Sequence, residues 1–77
     1  MENTALSKAK DTIDYIAFMV TEFSLKHHLS MIQSFDYLRR YGGIEFLDRH
    51  YEVEHCENPV ITLDTLQRIC KRSGGAL

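Results

Sequence analysis

Leu6, Ala9, Ile13, Ile16, Val20 and Phe23 follow one another at alternating steps of three and four residues. A helix places such positions on one face, because a turn takes about 3.6 residues. His27 continues the series, so the spacing predicts a helix over about residues 5–27. The side opposite this stripe is not cleanly polar. Tyr15, Phe18, Met19 and Leu25 sit there among Asp11, Asp14 and Glu22. A helix apolar on two sides is either central in its domain or shared with a partner.

The chain has 77 residues, which is one domain's worth. A domain of this size buries only about 60–65% of its unfolded surface, and roughly 3–5 kcal/mol of stability is expected of it. Such chains often gain stability from a partner or a second copy. Order is expected over about 5–73, with frayed tails at 1–4 and 74–77. Hydrophobic residues make up 44% and charged residues 26%, a globular balance rather than a disordered one. The net charge of −2 gives no broad electrostatic reason to bind nucleic acid or an anionic membrane. Met1 to Lys10 is polar and of mixed charge, unlike a secretory signal. No run approaches the roughly 18 apolar residues of a membrane span. The expectation is a cytoplasmic protein, outside the membrane, with Cys56 and Cys70 reduced.

Past His27 the chain restarts at "HHLSMIQSF". Ser30 followed by Gln33 fits a capping box. A second helix over about 31–41 would gather Met31, Phe35, Leu38 and Tyr41 on one face, and Gly42 would stop it in the left-handed conformation. Gly43 allows an immediate restart. Ile44, Phe46, Leu47 and His50 then share one side of a short third helix, with Glu45, Asp48 and Arg49 on the other. "YEVEH" alternates, with Tyr51, Val53 and His55 against Glu52 and Glu54, which is strand periodicity. Asn58 and Pro59 supply turn chemistry, and the "VI" after them reads as a short returning strand. Thr62 is expected to cap the last helix, whose apolar face is Leu63, Leu66, Ile69 and Cys70. The expected fold class is mainly α: a small four-helix domain with a minimal two-stranded β ribbon, at about 51–55 and 60–62, before the last helix. Its expected core is Ile13, Ile16, Val20, Phe23, Phe35, Leu38, Leu47, Leu66 and Ile69.

Three kinds of chemistry can be weighed on this frame. His50, His55 and Cys56 have the ligand types that zinc favours, with Glu52 and Glu54 between them. They lack paired CxxC or HxxxH spacing, and His50 on an apolar face reads as a half-buried structural histidine packed on Ile44 and Leu47. Cys56 with His55 or His50 could form a thiolate pair. A chain this short, however, offers little wall for a substrate pocket of about 300 Å³ or more. The second and third helices outline a helix-turn-helix, but the would-be recognition helix carries Glu45 and Asp48, which repel phosphate, with Arg49 its only fixed cation. No metal, cofactor or catalytic residue is therefore assigned. A protein-interaction module remains, with Tyr15, Phe18 and Leu25 as its partner-binding residues and a protein partner or a second copy as its ligand. A nucleic-acid-binding helix-turn-helix is the alternative.

"KHHLS", "YLRRYGGIEFLDRHYEVEH" and "LQRICKRSGG" together resemble a family of short uncharacterised bacterial proteins, domain of unknown function 3791. The shared features are a His-Leu-Ser helix start, a Tyr-Gly-Gly break, a Phe-Leu…His-Tyr-x-Val-x-His run and a closing Gly-Gly. The likeness covers about residues 13–75. "CENPVI" departs from it, standing where members carry a more polar, often Thr-Gln-rich segment. The resemblance implies a small, mainly helical, bacterial cytoplasmic protein. It also implies, through neighbouring genes for proteins resembling ADP-ribosyltransferase toxins, an antitoxin-like or accessory partner. It carries over no catalytic residue and leaves Tyr41, Gly42, Gly43, His50, Tyr51 and His55 as architecture.

Overall fold

A computed structural model describes residues 4–77, with side chains from Ser7 onward. The expectations for residues 1–3 and for the Leu6 side chain lie outside the described residues. Helix α1 spans Thr4–His27, α2 Met31–Arg40, α3 Gly43–Arg49, α4 Tyr51–Glu54 and α5 Pro59–Arg72. α1 is the central element and packs on α2, α3 and α5.

The joints follow from local chemistry. α1 ends where His28 takes φ 57° and the Leu29 amide donates to the Ser24 carbonyl at 3.0 Å. That is the six-to-one bond of a Schellman cap. α2 begins with the expected capping box: the Gln33 amide donates to Ser30 Oγ at 3.0 Å, and the Ser30 amide to Gln33 Oε1 at 2.9 Å. Gly42 has φ 89°, as the Tyr-Gly-Gly break predicts. Its neighbour Gly43 is buried hard against α2, where an added Cβ would stand 2.7 Å from Leu38 Cδ2. The first glycine turns the chain; the second lets α3 approach α2.

The β ribbon does not form: among the described residues there is no strand, and five helices replace four. "YEVEH" is a helical turn in which the Glu54 amide donates to the His50 carbonyl at 2.9 Å and the His55 amide to the Tyr51 carbonyl at 3.0 Å. Two alternating apolar positions are too few to hold a ribbon, since a lone two-stranded ribbon is marginal at best. The returning strand is instead the first turn of α5. Asn58, not Thr62, is the N-cap, its side chain accepting from the Val60 amide at 2.9 Å. Pro59 holds the first helical position, where its missing N–H is no loss. Thr62 lies wholly inside and donates to Glu54 Oε1 at 3.2 Å.

The buried core is Met19, Val20, Phe23, Leu38, Leu47, Leu63, Leu66 and Cys70. Met19, placed by the sequence pattern on the far side of α1, is fully buried, whereas Ile13 is 65% and Phe35 44% exposed. Ile16 is partly buried against the core. The buried face of α1 is thus rotated from the stripe towards Met19. α2 has ten residues to the 24 of α1, so it is about 15 Å long against about 36 Å and leaves part of the stripe bare. Residues 74–77, expected as a frayed tail, turn back over α2, where the Tyr37 hydroxyl donates to the Leu77 carbonyl at 3.2 Å.

Candidate functional site

The uncovered part of the stripe forms one wall of an open groove of about 490 Å³ between α1 and α2. Ile13, Ile16, Ala17 and Val20 line it from α1; Met31, Ile32 and Phe35 line it from α2, with Asp36 its single charged residue. Ile32 is 83% exposed and Met31 45%. The cause is legible on the helical wheel of α2. Leu38 and Ser34 face the core, while Met31, Ile32 and Phe35 fan outwards over an apolar arc wider than the face α2 buries. Asp36 is tied down beside the groove, with Arg39 Nη2 at 2.7 Å and Arg40 Nη2 at 3.1 Å. These arginines hold its carboxyl below the usual range, the Arg39 hydrogen bond contributing most.

The structure does not bring the three residues expected to bind a partner onto one exposed patch. Phe18 and Leu25 are exposed on the outer side of α1. Tyr15 sits at the edge of the core, its ring 5.6 Å from that of Tyr51 and 6.5 Å from that of His55 in edge-on packing. Burial of its hydroxyl pushes the phenol pKa up, with the nearby Thr62 side chain opposing the shift. Tyr15 therefore anchors α4 to α1, and the outer stripe reduces to Phe18 and Leu25. Ile13 and Phe35, expected in the core, line the groove instead, and Ile32 joins them there. The adjacent pair Met31–Ile32, which widens the apolar arc of α2, was the signal available.

The histidines and cysteines are spread apart. His50, expected to be half-buried on Ile44 and Leu47, is exposed and lies against Phe46 at 4.9 Å. His55 stacks on Tyr51 at 4.3 Å, its Nδ1 2.7 Å from the Tyr51 carbonyl. That carbonyl can only accept, so Nδ1 carries the proton. Cys56 Sγ is 3.6 Å from Nε2 and 3.9 Å from Nδ1 of His55. Being nearly equidistant from both nitrogens, the sulfur is off the direction a base would use to take its proton. Among the described residues no three His, Cys, Asp or Glu side chains are grouped to hold a metal ion. Cys56 is exposed and Cys70 lies in the core, both as free thiols.

The cations are largely engaged by neighbouring acids: Arg49 with Glu45 and Arg68 with Asp64, each at 2.9 Å, beside the Asp36 pairs. Among the described residues no helix is long and apolar enough to cross a membrane.

Fold and surface define a small all-helical protein of the described residues, bearing an open apolar groove on one side and a narrower apolar stripe on the outer side of its longest helix. The chain belongs to the family described as proteins of unknown function, DUF3791, whose model matches residues 14–73. That span runs from the middle of α1 to the C-terminus of α5, so it takes in every groove-lining residue but Ile13. Neither the curated proteins nor the solved structures contain a match.

Proposed function

We propose that this chain is a non-catalytic, cytoplasmic protein-interaction module that binds through its apolar surface, with the α1–α2 groove as the principal site. The observation that supports this is the groove lining: seven apolar side chains and one carboxylate already held by two arginines. Fully burying a side chain of the size of Ile13, Ile32 or Phe35 is worth about 1.5–3 kcal/mol, so covering the groove is comparable to the roughly 3–5 kcal/mol expected for a domain this small. General acid–base or nucleophilic chemistry needs convergent polar groups, and the groove offers only Asp36. The family likeness adds a narrower role, an antitoxin-like or accessory partner of a neighbouring toxin-like protein, for which the Phe18–Leu25 stripe is a second docking face.

The helix-turn-helix alternative has less support. α3 presents Glu45 and Asp48, and Arg49 is bonded to Glu45, so phosphate contact would have to break that pair. Affinity purification at natural expression separates the readings when wild type is run beside Ile32→Asp and Phe18→Asp. Both positions are exposed, and circular dichroism of each variant checks that it folds. An assembly recovered with wild type and lost with one variant upholds the module and names its face. Recovered nucleic acid, or assemblies identical in all three samples, overturns it.

A further inference from the structure

We propose that residues 74–77 are a releasable strap, latched over α2 by the Tyr37 hydroxyl, which opens while the helices stay folded. The hydroxyl grips one residue twice: it accepts from the Leu77 amide at 2.9 Å and donates to the Leu77 carbonyl at 3.2 Å. To reach it the chain leaves α5 through Gly74, at φ 106°, and the Gly75 amide donates to the Cys70 carbonyl at 2.8 Å. Gly75 then passes directly against Tyr37. An added Cβ there would collide with the hydroxyl oxygen and stand 2.9 Å from Cζ and 3.0 Å from the Cys70 carbonyl. The Leu77 side chain completes the closure by packing, partly buried, at the edge of the core.

The latch is specific but thin. Among the described residues, every hydrogen bond of Ala76 and Leu77 runs to that one hydroxyl. A neutral hydrogen bond exchanged with water gains little net free energy, and each ordered residue costs backbone entropy. The strap therefore belongs with the parts of a fold that open locally, ahead of the core. Tyr37 does not depend on the strap for its place. Its ring stacks on Phe23 at 5.7 Å and lies against Tyr41 at 4.9 Å, so the latch stays in position when the strap lifts. Ala76 and Leu77 form one side of an open hollow of about 380 Å³, with Gln33, Tyr37, Arg40 and Tyr41 on the other. Lifting the strap removes that side and bares a hydroxyl already placed to pair with a backbone N–H and C=O.

Amide hydrogen exchange of the full chain, read residue by residue by NMR, tests this. In wild type the Leu77 amide is expected to exchange about tenfold slower than an unstructured amide, and much faster than the amides of Leu66 and Cys70 in the buried face of α5. Tyr37→Phe keeps the ring and removes the hydroxyl. Leu77 should then lose its protection, with the helical circular dichroism spectrum unchanged. Gly75→Ala should free Leu77 as well, by the clash, with the hydroxyl still present. A Leu77 amide that is unprotected in wild type overturns the strap, and one that stays protected in Tyr37→Phe overturns the latch. Exchange of Leu77 at the rate of Leu66 and Cys70 overturns independent opening, because the strap would then lift only when the whole domain unfolds.

Discussion

Thr62 Oγ1 donates a hydrogen bond to Glu54 Oε1 at 3.2 Å, tying the single turn of α4 to the first turn of α5. Thr62 is wholly buried. Thr62→Val keeps the volume and removes the donor, so it should lower stability by about 1–2 kcal/mol. Urea unfolding would show this as a lower midpoint at unchanged slope. An unmoved midpoint would mean that packing alone holds α4 in place.

Gly42 and Gly43 should fail for different reasons. At Gly42 an added Cβ has room, its nearest neighbours being 3.9 Å away, but φ is 89°. Gly42→Ala should cost about 1–2 kcal/mol through backbone strain. At Gly43 the cost arises from the clash with Leu38, about 1–3 kcal/mol. Trimming Leu38 to Ala should therefore relieve part of the Gly43→Ala penalty and none of the Gly42→Ala penalty. A double-mutant cycle on thermal or urea unfolding reads the difference. Equal coupling at both glycines would contradict the assignment.

His28 occupies the left-handed position that ends α1, with φ 57°. Its side chain is exposed, so replacing it removes no core packing. His28→Gly should raise stability by about 0.5–1 kcal/mol, strain relief outweighing the extra freedom of the unfolded chain. A lower melting midpoint would show that the imidazole makes a compensating contact.

His27 packs on Phe23 at 4.3 Å, and its Nε2 is buried without a hydrogen-bond partner. Burial, with Lys26 and His28 adding to it, holds its pKa below the ordinary imidazole value. The unfolded chain therefore takes up this proton more readily than the folded one. The group's contribution is complete above the unfolded value of about 6.5 and is lost as pH falls from there towards the folded value. Wild type should lose more stability than His27→Gln between about pH 7 and about pH 5. Parallel pH profiles would contradict the shift.

Much of the helical frame was readable from local signals. The Ser30–Gln33 box, the turn at Gly42 and the long stripe of α1 each depend on a few neighbouring residues, and each lies where its spacing puts it. The region after His50 was not readable in the same way. Alternation at Tyr51, Val53 and His55 matches a strand, but a run this short can also wind as a helical turn, where Tyr15 of α1 and Thr62 of α5 hold it. Asn58–Pro59 carried a helix-start signal that its turn chemistry masked. The groove was hidden for a related reason. Periodicity says which residues share a face, and the length of α2, not the stripe itself, decides how much of that face is covered.

Methyl resonances recorded with and without the assembly recovered by co-purification test the central claim most directly, because they report each apolar side chain by itself. The methyl groups of Ile13, Met31 and Ile32 should shift together as that partner is added. Those of Leu25 and Val60, equally exposed but away from the groove, should stay in place. Groove methyls that do not move, or shifts confined to Leu25 and Val60, would contradict the account.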